Sequence, residues 1–280
     1  MNYRHAFHAG NFADVVKHVA LSLALAHLGR KDTPFFCLDA HAGLGAYDLD
    51  SVAAGKTGEY LAGIARVLDA PAPPLELAPY LAIIEHLNQG GPLRRYPGSP
   101  ALMQAMTRPQ DRVALVELHP EDASSLGAFA AGDRRISVHH TDAYAAMKAL
   151  LPPPERRGLV LVDPPFELKD EFDRLRRGLR QALKRWATGC YMVWYPIKAR
   201  PPVARFHQEL LAEGLPKTLV AELLIRRDDD PFRLNGCGLV VINPPWPLHE
   251  AMAAVLPWLA GVLAPGTGSH RLEWLSGEEP

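Results

Sequence analysis

Four short apolar runs set the terms on which this chain can fold: residues 35–39, 113–117, 136–139 and 159–163. Three of them close on an acid, Asp39, Glu117 and Asp163, and the other leads directly to Asp142. Near-continuous apolar runs of this length are strands covered on both faces, which a parallel sheet between helices provides. Helix-like stretches at about 12–29, 121–131, 142–151, 168–187 and 201–213 separate most of the strands. The alternation predicts an α/β domain with a mostly parallel sheet. Further strand-like runs follow at 190–195, 218–223 and 238–243, the last two joined by a short loop from Arg227 to Gly236. A connection that short predicts an antiparallel hairpin at the far side of the sheet.

Residues 47–111 break the rhythm. They hold helix-like segments at 57–69 and 75–88 around Pro71-Ala72-Pro73-Pro74, and then the loop Tyr96-Pro97-Gly98-Ser99-Pro100. This reads as a small helical insertion after the first core strand, within one domain covering 1–280. A chain of 280 residues supports one full-sized core. With 30 Lys+Arg against 31 Asp+Glu, bulk charge advertises no nucleic-acid partner, though a local basic patch stays open. The three cysteines form no CxxC pair, no signal pattern opens the chain, and no apolar run is read as reaching membrane-spanning length. The expectation is a cytoplasmic protein with reduced core cysteines and no membrane contact.

Asp39-Ala40-His41-Ala42-Gly43-Leu44-Gly45 places an acid at a strand end before a Gly-x-Gly turn, where a ligand can approach bare backbone. A dinucleotide fingerprint is not complete: His41 stands where a glycine is expected, and the acid about 20 residues on is missing. A tight strand-to-helix turn explains the same residues. Glu117, at the end of the next core strand, suits the two hydroxyls of a ribose. Asp142 suits an adenine amino group or the N-cap of the following helix, or both. The strongest signal is Asp163-Pro164-Pro165-Phe166. Consecutive prolines hold the backbone extended, fixing a carboxylate, a carbonyl and a ring at the sheet edge. Those parts suit a planar base with an exocyclic amine; a proline-rich strand terminator is the structural alternative.

Taken together, these motifs resemble an S-adenosylmethionine-dependent adenine-N6 methyltransferase. The segments Tyr3-Arg4-His5-Ala6-Phe7-His8-Ala9-Gly10-Asn11, Asp39-Ala40-His41-Ala42-Gly43, Thr57-Gly58-Glu59-Tyr60, Tyr96-Pro97-Gly98-Ser99-Pro100 and Val241-Ile242-Asn243-Pro244-Pro245-Trp246 look more closely like the RlmJ family, nearly end to end. The resemblance implies a Rossmann-like methyltransferase sheet and methylation of an adenine N6 in large-subunit (23S) ribosomal RNA. It implies cofactor contacts at Lys17, His18, His41, Gly43, Ser99, Glu117, Asp142 and Ala143. Asp163 would accept the target amine with help from the Pro164 carbonyl, and Phe166 would stack on the base. Tyr3, Arg4, His5 and Asn11 would lie near the flipped adenosine. Ribosomal RNA is the implied partner of a monomer without a metal. Phe166 stands where such motifs also use tyrosine, so stacking is kept and a phenolic hydrogen bond is not. Ala143 offers backbone contacts alone.

Asn243-Pro244-Pro245-Trp246 is a second motif of the amine-methylating type, but no glycine turn follows it, so Asn243 and Trp246 are read as structural. Ala54-Gly55-Lys56-Thr57 imitates a P-loop, yet Asp50 occupies the required glycine position. His5, His8 and His18 have no cysteine or second histidine pair to complete a metal site. Arg174, Arg176, Arg177, Arg180, Lys184 and Arg185 fall along one helix, whose ordinary meaning is a solvated face. Arg134-Arg135 and Arg156-Arg157 also cluster, but Arg94-Arg95, beside the 96–100 loop, is better placed for RNA phosphates. The remaining alternatives are a DNA adenine or protein glutamine methyltransferase, and a non-catalytic RNA-binding module.

Overall fold

The computed structural model describes residues 4–277, so Tyr3 lies outside the described residues. The chain enters through helix α1 (Phe12–Gly29) and reaches the sheet at β1 (Phe36–Asp39). Before the next core strand come β2 (Ala46–Asp48), α2 (Val52–Thr57), α3 (Ile64–Asp69), α4 (Ala78–Leu87), β3 (Arg95–Pro97) and α5 (Ser99–Met106). The core resumes with β4 (Arg112–Glu117), α6 (Pro120–Ala130), β5 (Ile136–His140), α7 (Ala143–Leu150) and β6 (Gly158–Val162). It ends with α8 (Glu171–Arg185), β7 (Cys190–Ile197), α9 (Arg200–Ala212), β8 (Thr218–Leu224), β9 (Gly236–Ile242), α10 (Leu248–Leu263) and β10 (Ser269–Ser276).

The large sheet has eight strands in the order β10-β8-β9-β7-β6-β1-β4-β5. Strands β5, β4, β1, β6 and β7 run parallel, as the buried apolar runs require. The hairpin of β8 and β9 is antiparallel as expected, and β9 slots between β7 and β8, antiparallel to both. Side chains alternate between two cores: Cys37, Leu159 and Leu161 face one side of the sheet, while Leu38, Val160 and Val162 face the other. Helices α1, α4 and α10 close the first side, and α7, α8 and α9 close the second.

Three features depart from the sequence reading. First, α1 is long and apolar enough, by length and composition, to cross a membrane, but 78% of that window is buried inside the molecule. Its apolar residues point into the core all round, which is what a central helix needs. Second, the helix expected over 57–69 divides. Gly58 takes a left-handed conformation (φ 60°), and α3 begins only after Gly63. A Cβ at Gly63 would lie 2.0 Å from the Gly10 carbonyl oxygen, so the chain crosses the N-terminal segment there at backbone contact. Third, α10 and the edge strand β10 were not expected. β10 carries polar residues on a half-exposed strand and pairs antiparallel with β8, which weakens its apolar signature.

A short ladder between β2 and β3 pairs Tyr47 with Tyr96 and so draws together the two ends of the 49–94 excursion. The Thr57-Gly58-Glu59-Tyr60 segment is tied to the N-terminal motif: Glu59 accepts from His8 Nδ1 and from Asn11 Nδ2, each at 3.0 Å, and the Thr57 hydroxyl donates to the Phe7 carbonyl.

Candidate active site

All five parallel strands end at one edge of the sheet, where Asp39 and Glu117 close β1 and β4, and Asp142 and Asp163 follow β5 and β6. A cleft of about 540 Å³ opens at this edge, between the N-terminal turn, the β1 and β4 loops and the β6 corner. Asn11, Lys17, His18, His41, Gly43, Ser99, Glu117, Asp142, Ala143, Asp163, Pro164, Phe166 and His5 all border it. Arg4 does not: its guanidinium pairs with Glu121 at 2.6 Å and Asp122 at 3.2 Å on the first turn of α6. Tyr3 is outside the described residues.

On the β1 side, Asp39 is fully buried, and its Oδ1 accepts from the His41 backbone N–H at 3.2 Å. Its Oδ2 meets no partner with hydrogen-bond geometry among the described residues, although the Ser99 side chain lies beside it. Burial pushes the Asp39 carboxyl up to about 6, against the opposing pull of Ser99 and the His41 amide. Burial also takes His41 down to about 4, so its ring is neutral at pH 7, and its Nδ1 accepts from the Asp163 backbone N–H at 3.2 Å. Gly43 has φ +64°, and a Cβ there would lie 2.4 Å from the Tyr47 hydroxyl oxygen. Its backbone N–H donates to Glu117 Oε2 at 2.9 Å, while Glu117 Oε1 accepts from His119 N at 2.8 Å. One carboxylate therefore locks the β1 turn to the β4 turn.

Asp142 caps α7: its Oδ1 accepts from the backbone N–H groups of Tyr144 and Ala145, both at 3.0 Å. Its other oxygen stays toward the cleft, 3.9 Å from Arg174, whose guanidinium lies over the Tyr144 ring. Glu171 is buried against this group, and burial raises its carboxyl above the ordinary range.

At the β6 corner, Phe166 sits at φ +51°, a left-handed conformation costly for a residue with a bulky side chain. Its ring is held edge-on by Phe172 at 5.0 Å and Trp194 at 5.9 Å. The Pro164 carbonyl takes no backbone hydrogen bond among the described residues. Asp163 Oδ2 accepts from Lys17 Nζ at 2.5 Å, and Lys17 is also 2.8 Å from Asp14. Burial acts to lower the Lys17 ammonium, but the two carboxylates hold it well above its ordinary value. Lys17, named as a cofactor contact, is thus engaged by the acid of the Asp-Pro-Pro-Phe corner. His18 hydrogen-bonds Tyr96 at 2.8 Å, and burial takes it down to about 3.

Sequence reading missed Asp14, Arg174, Glu171, and the Trp194, Pro196 and Lys198 face of β7, all of which border the cleft. Period-2 alternation past the end of the β7 apolar run was the available signal for that face. Arg174 was hidden in a basic run of which Arg176 and Arg185 brace the structure. Arg176 pairs with Glu213 and Glu209, and Arg185 donates to the Leu151 carbonyl. Arg135 and Arg157 likewise brace loops, at the Thr107, Thr33 and Leu28 carbonyls.

Strand direction separates the two proline motifs. Because β9 runs antiparallel to β7, its end at Ile242 pairs with Tyr191, at the start of β7, on the edge opposite the cleft. Asn243 there has φ +51° and donates to the Ala187 and Gly189 carbonyls at 2.8 and 2.9 Å, a turn-bracing role.

Five parallel strands, β9 inserted antiparallel between β7 and β8, and an Asp-Pro-Pro corner at the fourth parallel strand define a Rossmann-like methyltransferase. A family model described as "Ribosomal RNA large subunit methyltransferase D, RlmJ" matches residues 32–276. The chain belongs to this RlmJ family. It is 45% identical over 276 residues to "Ribosomal RNA large subunit methyltransferase J" of Escherichia coli (strain K12), covering 98% of this chain and 99% of that protein. A protein of the same name from Haemophilus influenzae is 45% identical over 280 residues, covering 99% and 100%. The crystal structure of protein LPL1258 from Legionella pneumophila superposes with a TM-score of 0.88 at 37% identity, covering 95% of this chain and 98% of that one.

Proposed function

We propose that this chain transfers the methyl group of S-adenosylmethionine to the N6 of an adenine in large-subunit (23S) ribosomal RNA, in the cytoplasm. On this reading one methyltransferase domain spans 1–280 and carries the helical insertion 47–111. The observation that carries the proposal is the convergence, in one cleft, of the Asp163-Pro164-Pro165-Phe166 corner with the Gly43 turn, Glu117 and Asp142.

The residues present fit the cofactor. Asp39 keeps a buried, orphaned carboxylate oxygen next to the glycine turn, a partner for an ammonium group. Gly43, at φ +64° with no side chain, lets the turn close against the Tyr47 hydroxyl and keeps its backbone at the edge of the cleft. Glu117 would hold the ribose hydroxyls, and the Asp142 oxygen not used in the helix cap, which also lies 3.9 Å from Arg174, the adenine amine. When bound, the cofactor supplies an electrophilic methyl on a positively charged sulfur.

The chain's own residues then do the orienting. Among the described residues Asp163 Oδ1 has no partner, and with the Pro164 carbonyl it provides two acceptors for the two N–H hydrogens of the amine. Drawing both hydrogens aside turns the nitrogen lone pair out of the ring and toward the methyl. Strong basicity is not required of Asp163, because the nitrogen becomes acidic as it gains its new bond to carbon. Phe166, fixed by Phe172 and Trp194, offers a rigid face to the base.

The test is incubation of the purified protein with methyl-labelled cofactor and, separately, protein-free large-subunit RNA, adenine-containing DNA and protein extract. Label in N6-methyladenosine of the RNA is expected. Label confined to DNA or to glutamine would overturn the reading, as would absence of cofactor binding by calorimetry.

A further inference from the structure

We infer that Asp14 is a positioning residue for the transfer reaction, its carboxylate holding His5 and Lys17 in one arrangement and, through Lys17, fixing Asp163. This rests on the reading of Asp163 given above. Asp14 lies in the first turn of α1 and is 2% exposed. Its Oδ2 accepts from His5 Nε2 and from the Gly10 backbone N–H, each at 2.9 Å. Its Oδ1 receives Lys17 Nζ at 2.8 Å, and the same ammonium reaches Asp163 Oδ2 at 2.5 Å. A continuous line of polar contacts therefore runs from the N-terminal turn, through α1, to the β6 corner.

A capping role does not explain this carboxylate. Asn11 is the N-cap of α1, and its side chain already accepts from the Ala13 and Asp14 backbone N–H groups. Favourable interaction with the helix N-terminus would place an acid here, but it would not bring an imidazole and an ammonium group to it. Burying a carboxylate–ammonium–carboxylate line adds little net stability compared with a packed apolar core. It does settle which oxygen of Asp163 is occupied: Lys17 takes Oδ2, and Oδ1 is left toward the cleft. Without Asp14, Lys17 would face Asp163 as its one close counter-charge, with buried Asp39 and neutral His18 nearby. The ammonium would then be held less firmly, and burial would pull its ionisation down.

The experiment compares wild type, Asp14→Asn and Asp14→Glu by three readouts. Lysine-selective NMR titration follows Lys17, calorimetry gives cofactor affinity, and methyl transfer to large-subunit RNA gives kcat across pH 6 to 10. Asp14→Asn is expected to lower the apparent pKa of Lys17 by at least one unit, and to reduce kcat about a hundredfold, as a misplacement of about 1 Å does. A new alkaline limb should appear in its pH profile, while cofactor affinity changes less than about threefold. Should Asp14→Asn fail to fold, Asp14→Glu carries the test, with Lys17 still charged and kcat reduced at least about tenfold by the displaced carboxylate. An unchanged Lys17 titration in folded Asp14→Asn overturns the inference whether or not methyl transfer is observed. So does a loss of kcat that is equal at every pH and tracks a fall in Tm. A wild-type protein that binds cofactor but methylates no RNA would instead sink the function proposed above, leaving the Lys17 titration to decide the role of Asp14.

Discussion

Asp39→Asn separates what the fold prefers from what the site requires. The wild-type carboxyl rises from 3.8 to about 6 on burial, a shift of about two units, or roughly 3 kcal/mol. The sign follows from the direction. A raised folded pKa means that Asp39's contribution is fully present below its unfolded value of 3.8 and is lost as pH rises through about 6. At pH 8 the native protein therefore buries a charge that asparagine would not carry. Asparagine keeps an oxygen for the His41 N–H, but it puts an amide nitrogen where Oδ2 has no geometric partner. That costs about 1–3 kcal/mol unless Ser99 accepts from it. A net gain of up to about 2 kcal/mol at pH 8 remains, raising Tm by up to about 6 °C in a chain of this size. At pH 4, where Asp39 is largely neutral, the advantage should vanish or reverse. Scanning calorimetry of both proteins at the two pH values reads this directly, and cofactor titration at pH 8 should show the more stable variant binding at least about tenfold more weakly. A Tm difference independent of pH, or undiminished cofactor affinity, would refute the reasoning.

The other expectations concern the same cleft and its control. Gly43→Ala should lower Tm and abolish cofactor binding; adding Tyr47→Phe, which removes the oxygen 2.4 Å from the new Cβ, should recover part of the stability but not the roughly 1–2 kcal/mol of left-handed backbone cost. Glu117→Gln replaces the carboxylate that accepts from Gly43 and His119 with an amide holding one acceptor, so cofactor affinity should fall about tenfold with the fold intact, as measured by calorimetry and circular dichroism. Asn243→Ala should cost about 1–3 kcal/mol through two lost hydrogen bonds at a left-handed position. Its kcat per folded molecule should stay within twofold of wild type, because the motif lies on the opposite edge of the sheet.

Much of the core was legible because burial on both faces leaves a plain apolar signature, and because acids at strand ends mark the edge where a ligand is met. Glu117, Asp142 and Asp163 border one cleft for that reason, while Asp39 is fully buried beside its Ala40–Gly43 wall. What was not legible depends on long-range juxtaposition. Nothing local in residues 11–18 reveals that Lys17 lies between Asp14 and Asp163, a contact across 146 positions of chain. Strand β10, half-exposed and polar, has no periodic signal strong enough to distinguish it from a loop. The division of the 57–69 helix turned on Gly63, whose constraint is a backbone more than fifty positions away at Gly10. The two proline motifs look alike in sequence, and it is strand direction, set by pairing with β7, that puts Asn243 out of reach of the cleft.

The central claim is that Asp163, at the β6 corner, receives the target amine. Its most direct test is single-turnover methyl transfer from labelled cofactor to protein-free large-subunit RNA by wild type and by folded Asp163→Ala, with the product identified as a nucleoside. Wild type should place the label in N6-methyladenosine, and Asp163→Ala should bind cofactor yet transfer at least a hundredfold more slowly. Transfer by folded Asp163→Ala at the wild-type rate, or label in any other nucleoside, would contradict the account.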